Sequence, residues 1–241
     1  MALLSAGPLR VSVVVPTYNE RENVAPLAEE VLRAQVEGLV LLFVDDSSPD
    51  GTGEELARLA IQRPWIRVHA RNGKLGIGSA YQDGFKVALS ELSADIVVEM
   101  DADFQHPPSG IPALVRAVQE GADVAVGSRY VPGGSVVGWG LWRRAVSRGA
   151  NSYARLILGL TVKDSTSGFR AYSRRAAEIV SAGHLPAKGF EFQVASLRAL
   201  KTGMKIVEIP YQFSARRAGS SKLGLKDVAK FFVAVLRLSF S

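Results

Sequence analysis

The chain has 241 residues, 47% of them hydrophobic, no cysteine, and a formal charge of +6 from 29 basic and 23 acidic side chains. That size and apolar content supply one sizeable core, while the lack of thiols excludes disulfides, thiolate metal sites and cysteine nucleophiles and fits a reducing compartment. Residues 1–9 read as too short and broken for a secretory leader, and no apolar run reaches the roughly 20 residues that crossing a bilayer takes.

In chain order, residues 11–15 form a branched apolar run that reads as a buried strand. The polar stretch Pro16-Thr17-Tyr18-Asn19-Glu20 follows, then a helix with Val24, Leu27, Val31 and Leu32 on one face, Asn23 as its cap and Pro26 tolerated in the first turn. A second strand, 40–44, ends in Asp45-Asp46-Ser47-Ser48, and Thr52 and Glu55 have capping-box spacing ahead of Leu56, Leu59 and Ala60. Strand 66–70 leads to Gly73-Lys74-Leu75-Gly76-Ile77-Gly78, which lacks the spacing of a nucleotide-binding P-loop and the Ser or Thr after its Lys. Helix 81–92 and strand 96–100 come next, a helix capped by Ser109 runs to residue 118, and 124–127 is a fifth strand. Alternating strands and helices predict an α/β fold, a doubly wound and mostly parallel sheet with ligands at the strand C-termini.

Directly after strand 96–100 stands Asp101-Ala102-Asp103-Phe104-Gln105. The alternate residues Asp101, Asp103 and Gln105 offer hard oxygen ligands, which suit Mg²⁺ or Mn²⁺ better than zinc. A capped turn is the competing reading, since Asp commonly follows strands.

Beyond residue 128 the chain becomes basic, from Arg129, Arg143 and Arg144 through Arg170 and Arg174 to Arg216, Lys222 and Lys230. Such an excess predicts anionic partners: phosphates, an acidic membrane face or nucleic acid. Residues 144–158 and 190–200 read as helices, and 169–172 and 205–213 as strands. Near the end, Lys226, Lys230, Ala234, Arg237 and Ser241 share one narrow helical stripe, with Phe231, Val233, Val235, Leu236, Leu238 and Phe240 on the remaining arc. That pattern suits a helix in a membrane interface, or equally one packed on its own domain. His69, His106 and His184 are too scattered for a metal cluster and read as structural.

Taken in order, the segments 16–23, 44–52 and 100–108 and Gly127-Ser128-Arg129-Tyr130 resemble glycosyltransferase family 2. Within it they resemble the dolichyl- and polyprenyl-phosphate mannose synthases. Gly138-Trp139, Ser147-Arg148-Gly149-Ala150-Asn151, Ser167-Gly168-Phe169-Arg170 and Ser220-Ser221-Lys222-Leu223 extend the likeness over nearly the whole chain. The resemblance implies a GT-A-type fold and inverting, metal-dependent transfer of mannose from GDP-mannose to dolichyl or polyprenyl phosphate. Pro16, Tyr18, Glu20, Val44 and Asp46 would then hold the guanosine. Asp101, Ala102, Asp103 and Gln105 would meet the rest of the donor, with Asp103, Gln105 and Asp101 around Mg²⁺ or Mn²⁺. Arg129, Arg143 and Ser147 would hold the acceptor phosphate, with Arg216 and Lys222 clamping either phosphate group. Asp101, Asp103 and Arg129 would be the catalytic set.

A sugar hydroxyl acceptor would need a general base. A lipid monophosphate, with a second pKa of roughly 6 as in phosphoserine, does not; it needs positive charge beside a departing diphosphate, which arginine supplies best. One domain is expected over 1–241: a donor half (10–130), an acceptor half (131–224) and an amphipathic helix (225–241). The loop from Gly133 to Gly140, flanked by Trp139 and Trp142, is expected to be a mobile flap near the lipid entrance. Arg71 or Lys74 is expected to face the donor, and Arg144 and Arg148 to be surface charge. The expected location is peripheral, on the cytosolic face of a membrane, with small membrane-spanning accessory subunits as further partners. A sibling transferase for glucose and a non-catalytic sugar-nucleotide binder are the rival readings. A nucleic-acid partner is disfavoured because the basic half carries no run of interleaved aromatics.

Overall fold

A computed structural model describes residues 9–182, 185, 189, 191–214 and 225–240. Its strands and helices alternate through the first half: β1 (Val11–Thr17), α1 (Arg21–Arg33), β2 (Leu39–Asp45), α2 (Thr52–Gln62), β3 (Ile66–Ala70), α3 (Ile77–Ser90), β4 (Ile96–Glu99), α4 (Ile111–Gln119) and β5 (Val124–Ser128). The second half adds β6 (Ser135–Val136), α5 (Leu141–Leu158), β7 (Arg170–Ser173), α6 (Arg174–Ser181), α7 (Phe192–Leu200), β8 (Ile206–Pro210), β9 (Gln212–Phe213) and α8 (Leu225–Ser239).

Seven strands form one sheet in the order β3-β2-β1-β4-β7-β5-β8. All pair in parallel except β7, which runs antiparallel between β4 and β5. The central strands are buried on both faces, so they read as unbroken apolar runs rather than alternating ones. Val13 and Val15 face a core built with α1, α2 and α4; Val14 faces the other, built with α3, α5, α6, α7 and α8, as the period of two demands. Gly84 lets α3 lie against the sheet: a Cβ there would sit 2.4 Å from Val14 Cγ1 and 2.9 Å from Val44 Cγ2. Leaving β1, the strand order proceeds to β2 on one side and β4 on the other. This reversal opens a crevice at the β1 and β4 C-termini, where such sheets bind ligands.

Several local expectations change. Glu20, not Asn23, precedes α1, and Asn23 turns inward to donate to Glu20 Oε2 at 2.7 Å. Gly51 rather than Thr52 is the cap of α2. A turn of 3-10 helix, Pro108–Gly110, replaces the cap expected at Ser109. The strand expected over 205–213 breaks into β8 and β9, and β9 pairs with β6. That pairing involves Ser135 and Val136 of the loop expected to be a flap. The terminal helix divides its apolar arc: Val235 and Leu238 are buried, whereas Val233, Leu236 and, just past its end, Phe240 face outward. Tyr153 Oη of α5 donates to Phe232 O at 3.3 Å, and Arg198 Nε of α7 to Leu238 O at 3.1 Å. Among the described residues no helix is long and apolar enough to cross a membrane.

Candidate active site

Parallel pairing of β1, β2 and β4, with β5 aligned to them across the antiparallel β7, brings four strand ends to one edge of the sheet, where the polar segments singled out in the sequence meet. At the β1 and β2 ends, Thr17 Oγ1 donates to Asp45 Oδ1 at 2.9 Å, and Ser48 closes on the same carboxylate through its amide and hydroxyl. Pro16, Tyr18 and Glu20 lie half-buried along this rim. Lys74 Nζ stands 4.0 Å over the Tyr18 ring, a cation–π contact that brings the glycine-rich turn to the same rim.

Asp46 and Val44, expected beside the guanosine, are both tied into the fold. Asp46 is buried and receives Arg71 Nη1 at 2.7 Å and the amides of Leu75 and Gly76 at 3.1 and 3.3 Å. It therefore anchors the glycine-rich turn. Arg71, donating also to Ser79 Oγ and 3.2 Å from Asp83, is a buried strut rather than a donor-facing charge. The Val44 side chain belongs to the core, so only its backbone is left for a ligand.

Asp101 to His106 fold into a tight turn at the β4 end, with Phe104 at a φ of 63, a left-handed conformation uncommon for a non-glycine residue. The Asp101 amide donates to His106 Nδ1 at 3.1 Å and Tyr81 Oη donates to Asp101 Oδ1 at 2.8 Å. The Gln105 amide donates to Asp103 Oδ1 at 3.0 Å. Burial pushes His106 down to about 4, so the imidazole is neutral at pH 7. It packs among Phe169, Tyr211 and Phe213. Ala102 and Asp103 are buried, and Asp101 is half-exposed. Among the described residues no group of three or more His, Asp or Glu is placed to hold a metal. Two carboxylates and an amide oxygen on one turn nevertheless fit a hard divalent ion that completes its shell with substrate oxygens.

Beneath this turn Glu99 is fully buried, and burial raises it to about 7 against the pull of Arg170, Gln193 and Tyr172. Tyr172 Oη donates to it at 2.8 Å, and Gln193 Nε2 donates as well. Arg170, also fully buried, donates to Ser165 O, Gln193 O and Ser196 Oγ. Arg170 is therefore internal structure, and Arg174, donating to Ala94 O and Leu89 O, binds the end of α3. Arg170 is thus no part of an anion-binding surface.

Arg129 follows β5. Its guanidinium meets Asp164 edge-on, Nε to Oδ2 at 2.7 Å and Nη2 to Oδ1 at 2.6 Å, while Nη2 also donates to Thr166 Oγ1 at 2.8 Å. The rings of Tyr130, Trp139 and Phe213 lie 5.2–5.5 Å from Arg129 Cζ. Burial by itself would lower its pKa, but Asp164 more than offsets this and the group stays charged. Arg143, half-buried on α5, stacks on Trp139 at 4.2 Å, and Tyr130 Oη donates to Ser147 Oγ at 2.7 Å. Arg129, Arg143 and Ser147 are therefore brought together, and Phe213 joins them to the β4 turn through His106, 6.0 Å away ring to ring. Arg144 and Arg148 are exposed, as expected, and Trp142 is 77% exposed. Arg216 and Lys222, with His184, lie outside the described residues. Sequence reasoning did not find Tyr81, Asp164 or Thr166; a lone Asp between Lys163 and Ser165 carries no pattern.

Residues 12–180 match the family model described as glycosyl transferase family 2. The polyprenol monophosphomannose synthase of Mycolicibacterium smegmatis is 43% identical over 231 residues, covering 93% of this chain and 86% of that protein. The undecaprenyl-phosphate mannosyltransferase of Micrococcus luteus is 40% identical over 230 residues, covering 95% and 93%. Among solved structures, glucosyl-3-phosphoglycerate synthase from Mycobacterium tuberculosis, with Mn²⁺, UDP-glucose and phosphoglyceric acid, superposes with a TM-score of 0.69. It is 22% identical and covers 96% of this chain and 80% of that one.

Proposed function

Because the chain belongs to glycosyl transferase family 2, we propose that it transfers mannose from GDP-mannose, with inversion, to a polyprenyl or dolichyl phosphate. The observation that carries this reading is the assembly of Arg129, Arg143 and Ser147 around Trp139 and Tyr130, one aromatic ring away from the β4 turn. A donor lies along the rim of Pro16, Tyr18 and Glu20, with its diphosphate at Asp101 and Asp103. Asp101, Asp103 and Gln105 would hold Mg²⁺ or Mn²⁺, which neutralises the diphosphate and helps it leave; the Mn²⁺ of the structural neighbour supports this.

The remaining work falls to the chain's own groups. Tyr81 orients Asp101 through a fully buried hydroxyl; burial and then the Asp101 charge hold it well above the usual tyrosine range, so it remains a donor. On the other side, Arg143 and Ser147 hold a phosphate that is already anionic, so no side chain must remove a proton. Guanidinium groups offset the repulsion between the two phosphorylated substrates.

A lipid acceptor requires access to a membrane surface. Leu141, Trp142 and Leu156 of α5, Val233 and Leu236 of α8 and Phe240 just past it are exposed, as are Arg144, Arg148, Lys230 and Arg237. Apolar and cationic groups together favour an interfacial position on anionic lipid. We place the protein peripherally on the cytosolic face, where accessory membrane subunits would share this surface. The test is incubation with labelled GDP-mannose or UDP-glucose, a short polyprenyl phosphate and Mg²⁺ or Mn²⁺, followed by organic extraction. Label in the organic phase from GDP-mannose is the expected result. Label from UDP-glucose alone assigns the sibling activity, and no label from either overturns the reading.

A further inference from the structure

Arg129 is the residue that resemblance would assign to the acceptor phosphate as a positive charge, yet its charge is already answered inside the protein. The Arg129 side chain is 6% exposed and that of Asp164 is 0% exposed. Asp164 Oδ2 accepts from the Arg129 backbone amide at 2.8 Å and from Nε at 2.7 Å, while Oδ1 takes Nη2 at 2.6 Å. One carboxylate therefore fixes the main chain and the guanidinium plane of the same residue. Asp164 is itself fixed: its amide donates to Glu208 Oε1 at 3.0 Å and that of Lys163 to Glu208 Oε2 at 2.9 Å.

The turn that carries Asp164 is also tied to α5. Asn151 Oδ1 accepts from Ser165 Oγ and the Thr166 amide, and Asn151 Nδ2 donates to Thr166 Oγ1 at 3.0 Å and to Ser147 O at 2.9 Å. Ser147 and Arg129 thus hang from one rigid frame.

We propose that Asp164 is a positioning residue for the acceptor phosphate: it neutralises Arg129 and holds its guanidinium in one orientation, so that Arg129 contributes direction rather than net charge. This rests on the acceptor reading above. The chemistry favours such a role. A phosphate oxygen clamped by full positive charge is a poorer nucleophile, whereas a neutralised guanidinium still offers directed N–H groups. Its orientation costs no side-chain entropy when the acceptor arrives. Thr166 belongs to the same device, since its hydroxyl meets both Arg129 Nη2 and Asp164 Oδ1, at 2.8 and 3.4 Å.

The test separates positioning from mere folding. In Asp164→Asn the amide nitrogen replaces one acceptor, and kcat/KM for polyprenyl phosphate is expected to fall by about tenfold or more while the KM for GDP-mannose stays unchanged. Thr166→Val, which leaves the ion pair, is expected to lower the same parameter by about threefold at nearly native thermal stability. The double variant Arg129→Met/Asp164→Leu removes both buried charges, an exchange that buried pairs tolerate in stability. It is expected to melt near the native temperature yet not to recover acceptor use. Equal changes in donor and acceptor parameters overturn the inference alone; native acceptor use by the double variant overturns it together with the acceptor role of Arg129. A native enzyme that labels no polyprenyl phosphate overturns the functional reading first and the inference with it.

Discussion

Replacing Tyr81 by Phe removes one oxygen from a fully buried ring and leaves the packing in place. The ring stacks on Phe192 at 5.7 Å between centroids, and its hydroxyl donates to Asp101 Oδ1 at 2.8 Å. A hydrogen bond to a charged group is worth about 1.5–3 kcal/mol net. Taken at about 2 kcal/mol, and expressed wholly as orientation of Asp101 in the transition state, its loss lowers turnover efficiency by roughly 30-fold. The assay is steady-state kcat/KM for GDP-mannose at saturating polyprenyl phosphate, with the acceptor KM measured separately and stability followed by urea unfolding. Expected are a 10- to 30-fold loss on the donor side, by the range of about 1.4–2 kcal/mol, an unchanged acceptor KM, and a modest loss of stability. Native donor kinetics in a variant that is merely less stable would refute the reasoning, because Tyr81 would then serve the fold and not Asp101.

Asp103→Ala removes one of the two turn carboxylates and is expected to abolish transfer at every Mn²⁺ concentration while circular dichroism remains native; ordinary Mn²⁺-dependent turnover contradicts it. Gly84→Val forces a side chain into the 2.4 Å gap beside Val14 and should cost at least the 1–3 kcal/mol of an overpacked core, read as a lower urea midpoint; an unshifted midpoint counts against close packing of α3. Asp50 supplies a pH prediction. Desolvation pushes its carboxyl up, but the Thr52 hydroxyl and the amides of Arg21 and Thr52 outweigh this and hold it below the usual range. A depressed carboxyl stabilises above its unfolded pKa and loses that contribution as pH falls through the folded one. Asp50→Asn should therefore melt earlier at pH 7 and converge with the native protein in acid; melting curves that stay parallel from pH 7 to acid would contradict the assignment.

The first half of the fold was legible because its strands are continuous apolar runs and its helices have a 3.6-residue stripe. Strand pairing was less so. Arg170 to Ser173 pairs antiparallel with β4 and β5, a choice made by distant partners and not by the four residues themselves. Ser135–Val136 and Gln212–Phe213 are two-residue strands, too short for any periodicity. Helix α6 was missed because Arg174 was read only as part of the basic excess. The β4 turn was visible as a motif, and so were Arg129 and Ser147. What supports them was not: Tyr81 comes from α3 and Asp164 from a turn beyond α5, and only the fold brings them to their partners. Asp46, given a donor role only by resemblance, also meets an internal arginine, Arg71, and only the fold brings the two together.

The most direct measurement is a crystal of the protein grown with GDP-mannose and Mn²⁺ and examined by anomalous diffraction at the manganese edge. A peak between the nucleotide diphosphate and the turn of Asp101, Asp103 and Gln105, with Tyr18 beside the nucleoside, is the predicted result. Manganese and diphosphate bound elsewhere, with that turn bare, would contradict the account.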